Sequence, residues 1–365
     1  MCIYTYLEFF FLLLLCVELI GDNYKMKKMI FLCCAFLLIC LLGFRANTVG
    51  ADTPNYVKMF LNQDGPYGTI NNPEEEIESG IYYIAYAIRL FSDEYWVWHL
   101  STSFFLLLPF LLCIDKYSYI KSLPFFIYLA FNWSLLYLGL TIMRQNLSVA
   151  FFLYAVVLYI KSGYRHYYMQ TLLCFSALFL HRATLLPIIF FLIINHLKFN
   201  KKIVIACLIL SIFGGMLIER TLYDFIQYVN IITANSGVER FADYDKDSFE
   251  SSVNFNRLGP ATIYVLMVVL SSHKEAFKDI RLRFLIIGCV MYNLAASISV
   301  AMRLVYPFIL LGITYVPKSL FIRRNIIPQI IVALILLFFM YLNTKKYDGK
   351  NDYDNTYPYT FFWEK

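Results

Sequence analysis

Apolar residues along this chain come in long blocks, with little of the alternation that marks strands. Runs such as IYTYLEFFFLLLLCVELI (residues 3–20) and IFLCCAFLLICLLGF (30–44) carry almost no charge, and short polar or basic stretches separate them. A helix needs about 20 apolar residues to cross a hydrocarbon core of about 30 Å. Some twelve runs are candidates: roughly 3–20, 28–44, 95–114, 123–140, 144–160, 167–181, 183–197, 203–218, 258–272, 284–302, 304–316 and 326–342. The pattern predicts an all-α polytopic membrane protein with about twelve transmembrane helices in one membrane domain, residues 1–342. Two sizeable polar loops, 45–94 and 219–257, and a tail, 343–365, lie outside the spans.

Composition agrees with that class. Of 365 residues 60% are hydrophobic, 19% aromatic and 15% charged, with a mean hydropathy of +0.61, too little polar surface to cover a chain in water. The first run lacks the basic start and small-residue cleavage site of a signal peptide, so it reads as a retained helix despite Glu8 and Glu18. The nine cysteines fall in or beside the spans and form neither a disulfide framework nor a zinc spacing. No metal, cofactor or nucleic-acid partner is expected.

Charge fixes the orientation, because Lys and Arg are enriched in cytoplasmic segments. Segments 21–27 with Lys28, 115–122, 161–166, 198–202, 273–283 and 317–325 hold 17 of the 31 basic residues but only 4 of the 25 acids. With these inside, both termini and the large loops face out. Residues 123–160, 167–197 and 284–316 must then cross an even number of times, as hairpins. Their outer turns carry Arg144, the pair His181 and Arg182, and Arg303. Two of these hairpins are short for two full spans, which predicts tilted or re-entrant helices.

In the first outer loop, Pro54, Pro66 and Pro73 favour turns. SGIYYIAYAIRLF (79–91) follows an acidic run and has helical amphipathic spacing, which predicts a helix lying in the interface rather than crossing it. Trp96 and Trp98 read as interfacial anchors. Arg45, Arg144, Arg182, Arg240 and Arg303 come from separate parts of the chain, yet this topology places all five on one side. An arginine at a span edge can simply snorkel. Five together suit an anion, since the guanidinium fork matches phosphate oxygens bidentately, and a lipid pyrophosphate would fit.

The stretch FRANTVGADTPNY after the second span resembles the EpsG family of bacterial polysaccharide polymerases, itself similar to the Wzy O-antigen polymerases. EIESGIYYIAY, MRQNLSVAFFLYA, LFLHRATL and MRLVYPF continue the resemblance in order over about residues 28–316. It departs at Ala51, where many relatives have a hydroxyl residue. The resemblance implies a metal-independent glycosyltransferase of the bacterial cytoplasmic membrane, acting at its outer face. It would polymerise repeat units carried on undecaprenyl pyrophosphate into capsule, exopolysaccharide or O-antigen. A flippase and a chain-length regulator of the same pathway are the implied partners. Arg45, Arg144 and Arg303 fall at the family's arginine positions and would hold the leaving pyrophosphate, with help from Arg240 and Arg182.

The acceptor hydroxyl needs a base, and His181, Asp52 and Glu78 are the candidates. His181 titrates near working pH, and the charge of adjacent Arg182 favours its neutral form. Each has a plain structural alternative: a hydrogen-bonded histidine, a helix cap at Asp52, a helix-start charge at Glu78. Tyr56, Tyr82 and Tyr244 are placed to stack on sugar rings. A flippase for lipid-linked oligosaccharide, or another lipid-phosphate-sugar glycosyltransferase, shares most of these features. A transporter, however, should carry polar groups down to the bilayer midplane, and here they collect at one face.

Overall fold

In lipid every backbone N–H and C=O must be satisfied within the protein, and an uninterrupted apolar run does so as a helix. The computed structural model describes residues 3–21, 23–62, 80–131, 135–194, 196–234, 255–296, 299–321, 326–348 and 359–364. Its helices are α1 (Ile3–Ile20), α2 (Tyr24–Gly43), α3 (Thr53–Leu61), α4 (Gly80–Arg89), α5 (Tyr95–Tyr117), α6 (Leu123–Ala130), α7 (Leu135–Thr141), α8 (Met143–Ser162), α9 (Tyr167–Leu180), α10 (Leu185–Ile194), α11 (Lys201–Ala234), α12 (Phe255–Ser271), α13 (Ile280–Ala295), α14 (Ser299–Gly312) and α15 (Ile326–Asp348). Among the described residues the only β feature is an isolated bridge between Arg45 and Phe361.

Among the described residues, five helical runs are long and apolar enough to cross a membrane: α1, α2, α5, the run Met143–Leu180 through α8 and α9, and Ile326–Asn343 of α15. The pair α6 and α7, bent by 74°, counts as a sixth if it is one span. The protein is therefore a multi-pass helical membrane protein, and among the described residues these runs are joined by shorter apolar helices in α10, α12 and α14. The run expected at 183–197 folds as only ten residues, α10. In the opposite sense α11 continues to Ala234, into the segment assigned to the second loop. No proline or glycine interrupts residues 216–234. Phe36, Leu172, Phe175, Leu210 and Leu334 point away from the core. Apolar surface of this kind is costly in water and at home in lipid.

Lipid gives little drive for helices to associate, so close approach and polar contacts hold the bundle. A Cβ on Gly312 would come within 2.6 Å of the Leu285 backbone, which is how α14 lies against α13. The Asn293 amide of α13 donates to Ser211 Oγ on α11 at 2.8 Å and to Thr262 Oγ1 on α12 at 2.9 Å.

At one end of the bundle the basic segments act as caps for helix C-termini, whose carbonyls lack partners and whose dipole attracts cations. Lys201 Nζ donates to Leu270 O (2.7 Å) at the end of α12. Arg283 Nη1 reaches Ile194 O (2.8 Å) at the end of α10, and Lys121 Nζ reaches Ile114 O (2.8 Å) near the end of α5. Lys28 pairs with Asp115 at 2.7 Å, joining the start of α2 to the end of α5. The acids of the first run fit the same logic. Glu18 is buried and accepts from Lys121 N (2.6 Å), Ser122 N (2.9 Å) and Ser122 Oγ (2.7 Å), placing a carboxylate at the start of α6. Higher in α1, Glu8 Oε1 accepts from Asn343 Nδ2 (2.8 Å), which also donates to Ala130 O (2.9 Å), tying α1 to α15 and α6.

Glu18→Ala strands three donors in this interior, at about 1–3 kcal/mol for each one left unpaired. Its unfolding midpoint in detergent is expected well below wild type, with a smaller drop for Ser122→Ala. Equal midpoints for Glu18→Ala and wild type would mean that the α1 contact carries no stability.

Candidate functional site

At the opposite end of the bundle, the segment between α2 and α3 turns sharply back onto α7. Gly50 makes this turn with φ +101°, and a Cβ there would meet Leu140 O at 2.5 Å. Thr53 Oγ1 donates to the same carbonyl at 3.2 Å. Asp52 occupies the N-cap position of α3, with Pro54 in the first turn, yet its side chain makes no capping bond. The carboxylate is thus not committed to the helix end.

In the MRQNLS stretch that opens α8, three polar residues serve as pegs. Gln145 Nε2 donates to Arg303 O (2.6 Å), linking α8 to α14. Asn146 Nδ2 donates to Leu138 O (3.0 Å) and Gly139 O (3.1 Å), satisfying the end of α7. Ser148 Oγ donates to Ala177 O (2.6 Å) and shares a hydrogen bond with the Thr184 hydroxyl, fastening α8 to α9 and to the turn that holds His181 and Arg182. Arg144 is the charged member of the motif, in the first turn of α8, where a cation opposes the helix dipole.

These pegs gather several of the expected residues. Burial raises the Tyr56 phenol above its usual range; Arg144, by charge and by its backbone N–H, and then Arg303 pull it down, while Asp52 pushes it up. Tyr56, Asp52, Arg144 and Arg303 are therefore electrostatic neighbours. Arg303 is exposed and Arg144 half-buried. His181 ends α9 in extended conformation, half-buried, and accepts through its carbonyl from Thr184 N (3.1 Å), beside exposed Arg182. Tyr82 lies on α4, a ten-residue helix too short to cross. The inner face of α4 packs with Val57, Phe60, Trp98, Met143 and Leu180 into a small core of its own. Trp98 belongs to that core, fully buried and stacked on Phe60 at 5.5 Å, and so is not the interfacial anchor expected. Glu78, Arg240 and Tyr244 lie outside the described residues.

Arg45 has a different setting. It is 1% exposed, its Nη1 donates to Leu42 O, and its Nε has no partner. Burial draws the guanidinium down to about 10, against the counter-effect of the Tyr359, Tyr4 and Tyr128 phenols. His99, on the first turns of α5, is an electrostatic neighbour of Arg45, fully buried, with neither ring nitrogen partnered. Sequence reasoning passed over His99 because it sits inside an apolar run. The cover over this group is the segment Tyr359–Glu364, from a tail expected only to lie near the membrane surface.

Comparison with known proteins adds one finding: a model described as EpsG family matches residues 28–361, nearly the whole chain. No curated protein and no solved structure matches.

Since the approach of Gly50 to Leu140 sets the loop that carries Asp52 and Tyr56, Gly50→Ala is expected to cut the yield of folded protein sharply in detergent chromatography. Gly163→Ala is the control, at φ +60° but with open space around its Cβ. Similar yields for the two would show that the close contact does not hold the loop.

Proposed function

Since the chain belongs to the EpsG family, whose members are membrane proteins of the polysaccharide-polymerase type, we propose that it polymerises lipid-linked oligosaccharide repeat units at the outer face of the bacterial cytoplasmic membrane. The observation that carries this reading is the meeting of Arg144 and Arg303, from two separate helices, around Tyr56 and beside Asp52. Arg144 stands in the first turn of α8, at the positive end of the helix dipole, where a bound anion is favoured. An undecaprenyl pyrophosphate supplies such an anion at the depth of a lipid headgroup.

In the proposed transfer, the bond from the anomeric carbon of the growing chain to the pyrophosphate oxygen breaks. A bond to the acceptor hydroxyl of a second lipid-linked repeat forms. Its proton passes to a base, and lipid pyrophosphate leaves. That leaving group is stable, so the larger demand is to neutralise charge developing on its oxygens, a task suited to Arg144 and Arg303 with Arg182 nearby in sequence to His181. Asp52, whose side chain does no capping, and His181, at the junction held by Ser148, are the candidate bases. Glu78 is a further candidate, and Arg240 a further cation. Tyr56 and Tyr82, with Tyr244 from the second loop, offer ring faces for sugars. The positive-inside count supports the outward orientation of this end, with both termini outside, and the lipid-linked glycan reaches it through a flippase of the same pathway.

Lysine keeps the charge and the snorkelling stem but not the planar fork. Arg144→Lys and Arg303→Lys are expected to retain expression and lose polymer, by about a hundred- to a thousand-fold in rate for each contact that tightens in the transition state. Normal surface-glycan ladders at matched protein level would end the clamp. For the base, His181→Ala and Asp52→Asn are compared in the same assay; the variant that abolishes polymer while still binding lipid-linked repeats identifies it. Wild-type ladders from both would exclude these two residues. Reporter fusions after Lys121 and Lys201 are expected to read cytoplasmic and one at Asp245 exterior; a cytoplasmic signal at Asp245 would reverse the orientation.

A further inference from the structure

The first helix, α1, carries two buried carboxyls in opposite settings. Glu18 stands at the start of α6 and accepts from three donors there, a place where a carboxylate is favoured. Glu8 lies ten residues away on α1, about 15 Å along an α-helix and so near the middle of a core of about 30 Å. It faces the other end of the same short helix, where α6 stops at Ala130 and the chain bends by 74° into α7.

A helix C-terminus presents unpaired carbonyls and the negative end of the dipole, which disfavour an anion. Asn343 of α15 bridges the two acceptors, donating from Nδ2 to Glu8 Oε1 (2.8 Å) and to Ala130 O (2.9 Å). Glu8 is fully buried, and its Oε2 has no partner among the described residues. The neighbouring elements bring no cation to it. Neither α1 nor α6 contains Lys or Arg. Tyr4, one turn before Glu8, meets the Tyr359 ring at 5.8 Å and is an electrostatic neighbour of Arg45. From α2, Cys34 neighbours the other acid, Glu18. On α15, Lys345 and Lys346 come after Asn343, toward the helix end. An unpaired carboxylate at such depth is among the costliest groups a membrane protein can hold, whereas a neutral acid with one unbonded hydroxyl costs far less. A proton on Oε2 removes the charge and needs no cavity.

We infer that Glu8 is a proton-binding site within the membrane: a carboxylic acid, protonated on Oε2, whose Oε1 takes the Asn343 amide and so ties α1, α6 and α15 together at the α6–α7 break. The helix that carries it precedes the residues matched by the family model, 28–361, and the inference stands apart from the transfer reaction. Across the break, the Leu140 carbonyl of α7 holds the turn of Gly50 and Thr53, so the joint lies one short helix from the loop of Asp52. Loss of the proton leaves an anion at the negative end of α6. The tie therefore holds at neutral pH and weakens as pH rises.

The test uses the full chain in nanodiscs of phosphatidylcholine and the apolar reagent dicyclohexylcarbodiimide, which adds to a protonated carboxyl and rearranges to a stable N-acylurea that peptide mass spectrometry locates. Glu8 is expected to take the adduct at neutral pH at least tenfold more than Glu18, its control on the same helix, with a yield that falls as pH is raised to about 10. Exchanging choline chloride for sodium chloride is expected to leave that yield unchanged. Glu8→Gln, a neutral isostere that keeps the Asn343 bond, is expected to match the wild-type unfolding midpoint at neutral pH, and Glu8→Ala to fall below it. No adduct on Glu8, or an equal one on Glu18, overturns the proton site. Protection by sodium alone overturns it in favour of a metal cation. A Gln variant as unstable as the Ala variant shows that the negative charge is needed and overturns it too. If neither variant folds, labelling of the wild-type chain decides.

Discussion

Inside a bilayer no polar group can be left for water to satisfy, and the arrangement of this protein follows from how its side chains meet that demand. The MRQNLS stretch shows it most clearly. Gln145, Asn146 and Ser148 each donate to a carbonyl of another element, Arg303, Leu138 and Ala177 respectively. Three helices, α14, α7 and α9, are fixed to α8 by these contacts. Arg144, the charged member of the motif, sits beside these anchored positions in the first turn of α8.

The two ends of the bundle treat charge in opposite ways. At one end Lys121, Lys201 and Arg283 donate to the last carbonyls of α5, α12 and α10, where the helix dipole favours a cation. At the other, Arg144 stands in the first turn of α8, where it does not, and Arg303 one turn further along α14. An anion bound there would be favoured by the dipole as well as by the arginine charge, which is what the proposed lipid pyrophosphate supplies. Arg45, buried with a single carbonyl contact, shows the same imbalance in a more enclosed form.

Much of this was legible in the chain. Apolar runs located most helices, and parity of the basic segments put Arg144 at the turn of the 123–160 hairpin, where α7 gives way to α8 at Ile142. The amphipathic spacing of SGIYYIAYAIRLF marked α4. Helix ends were less readable: α11 runs on because nothing in 216–234 breaks it, and α10 stops at Ile194, where Arg283 from a distant helix caps it. What no periodicity records is which polar groups meet. The approach of Tyr56 to Arg144, the burial of His99 within an apolar run and the return of Phe362 to Trp96 depend on contacts between residues far apart in sequence. Trp98 looked interfacial because a tryptophan at a span edge usually is; packing against Phe60 takes it into a core instead.

The most direct test of the central claim is reconstitution of the purified protein with a defined undecaprenyl pyrophosphate-linked repeat unit, following glycan length on gels and release of lipid pyrophosphate together. The account predicts chains of several repeats, with one lipid pyrophosphate released for each glycosidic bond formed and no nucleotide sugar required. Repeat units that stay single, or that only change leaflet when the protein is present, would contradict it.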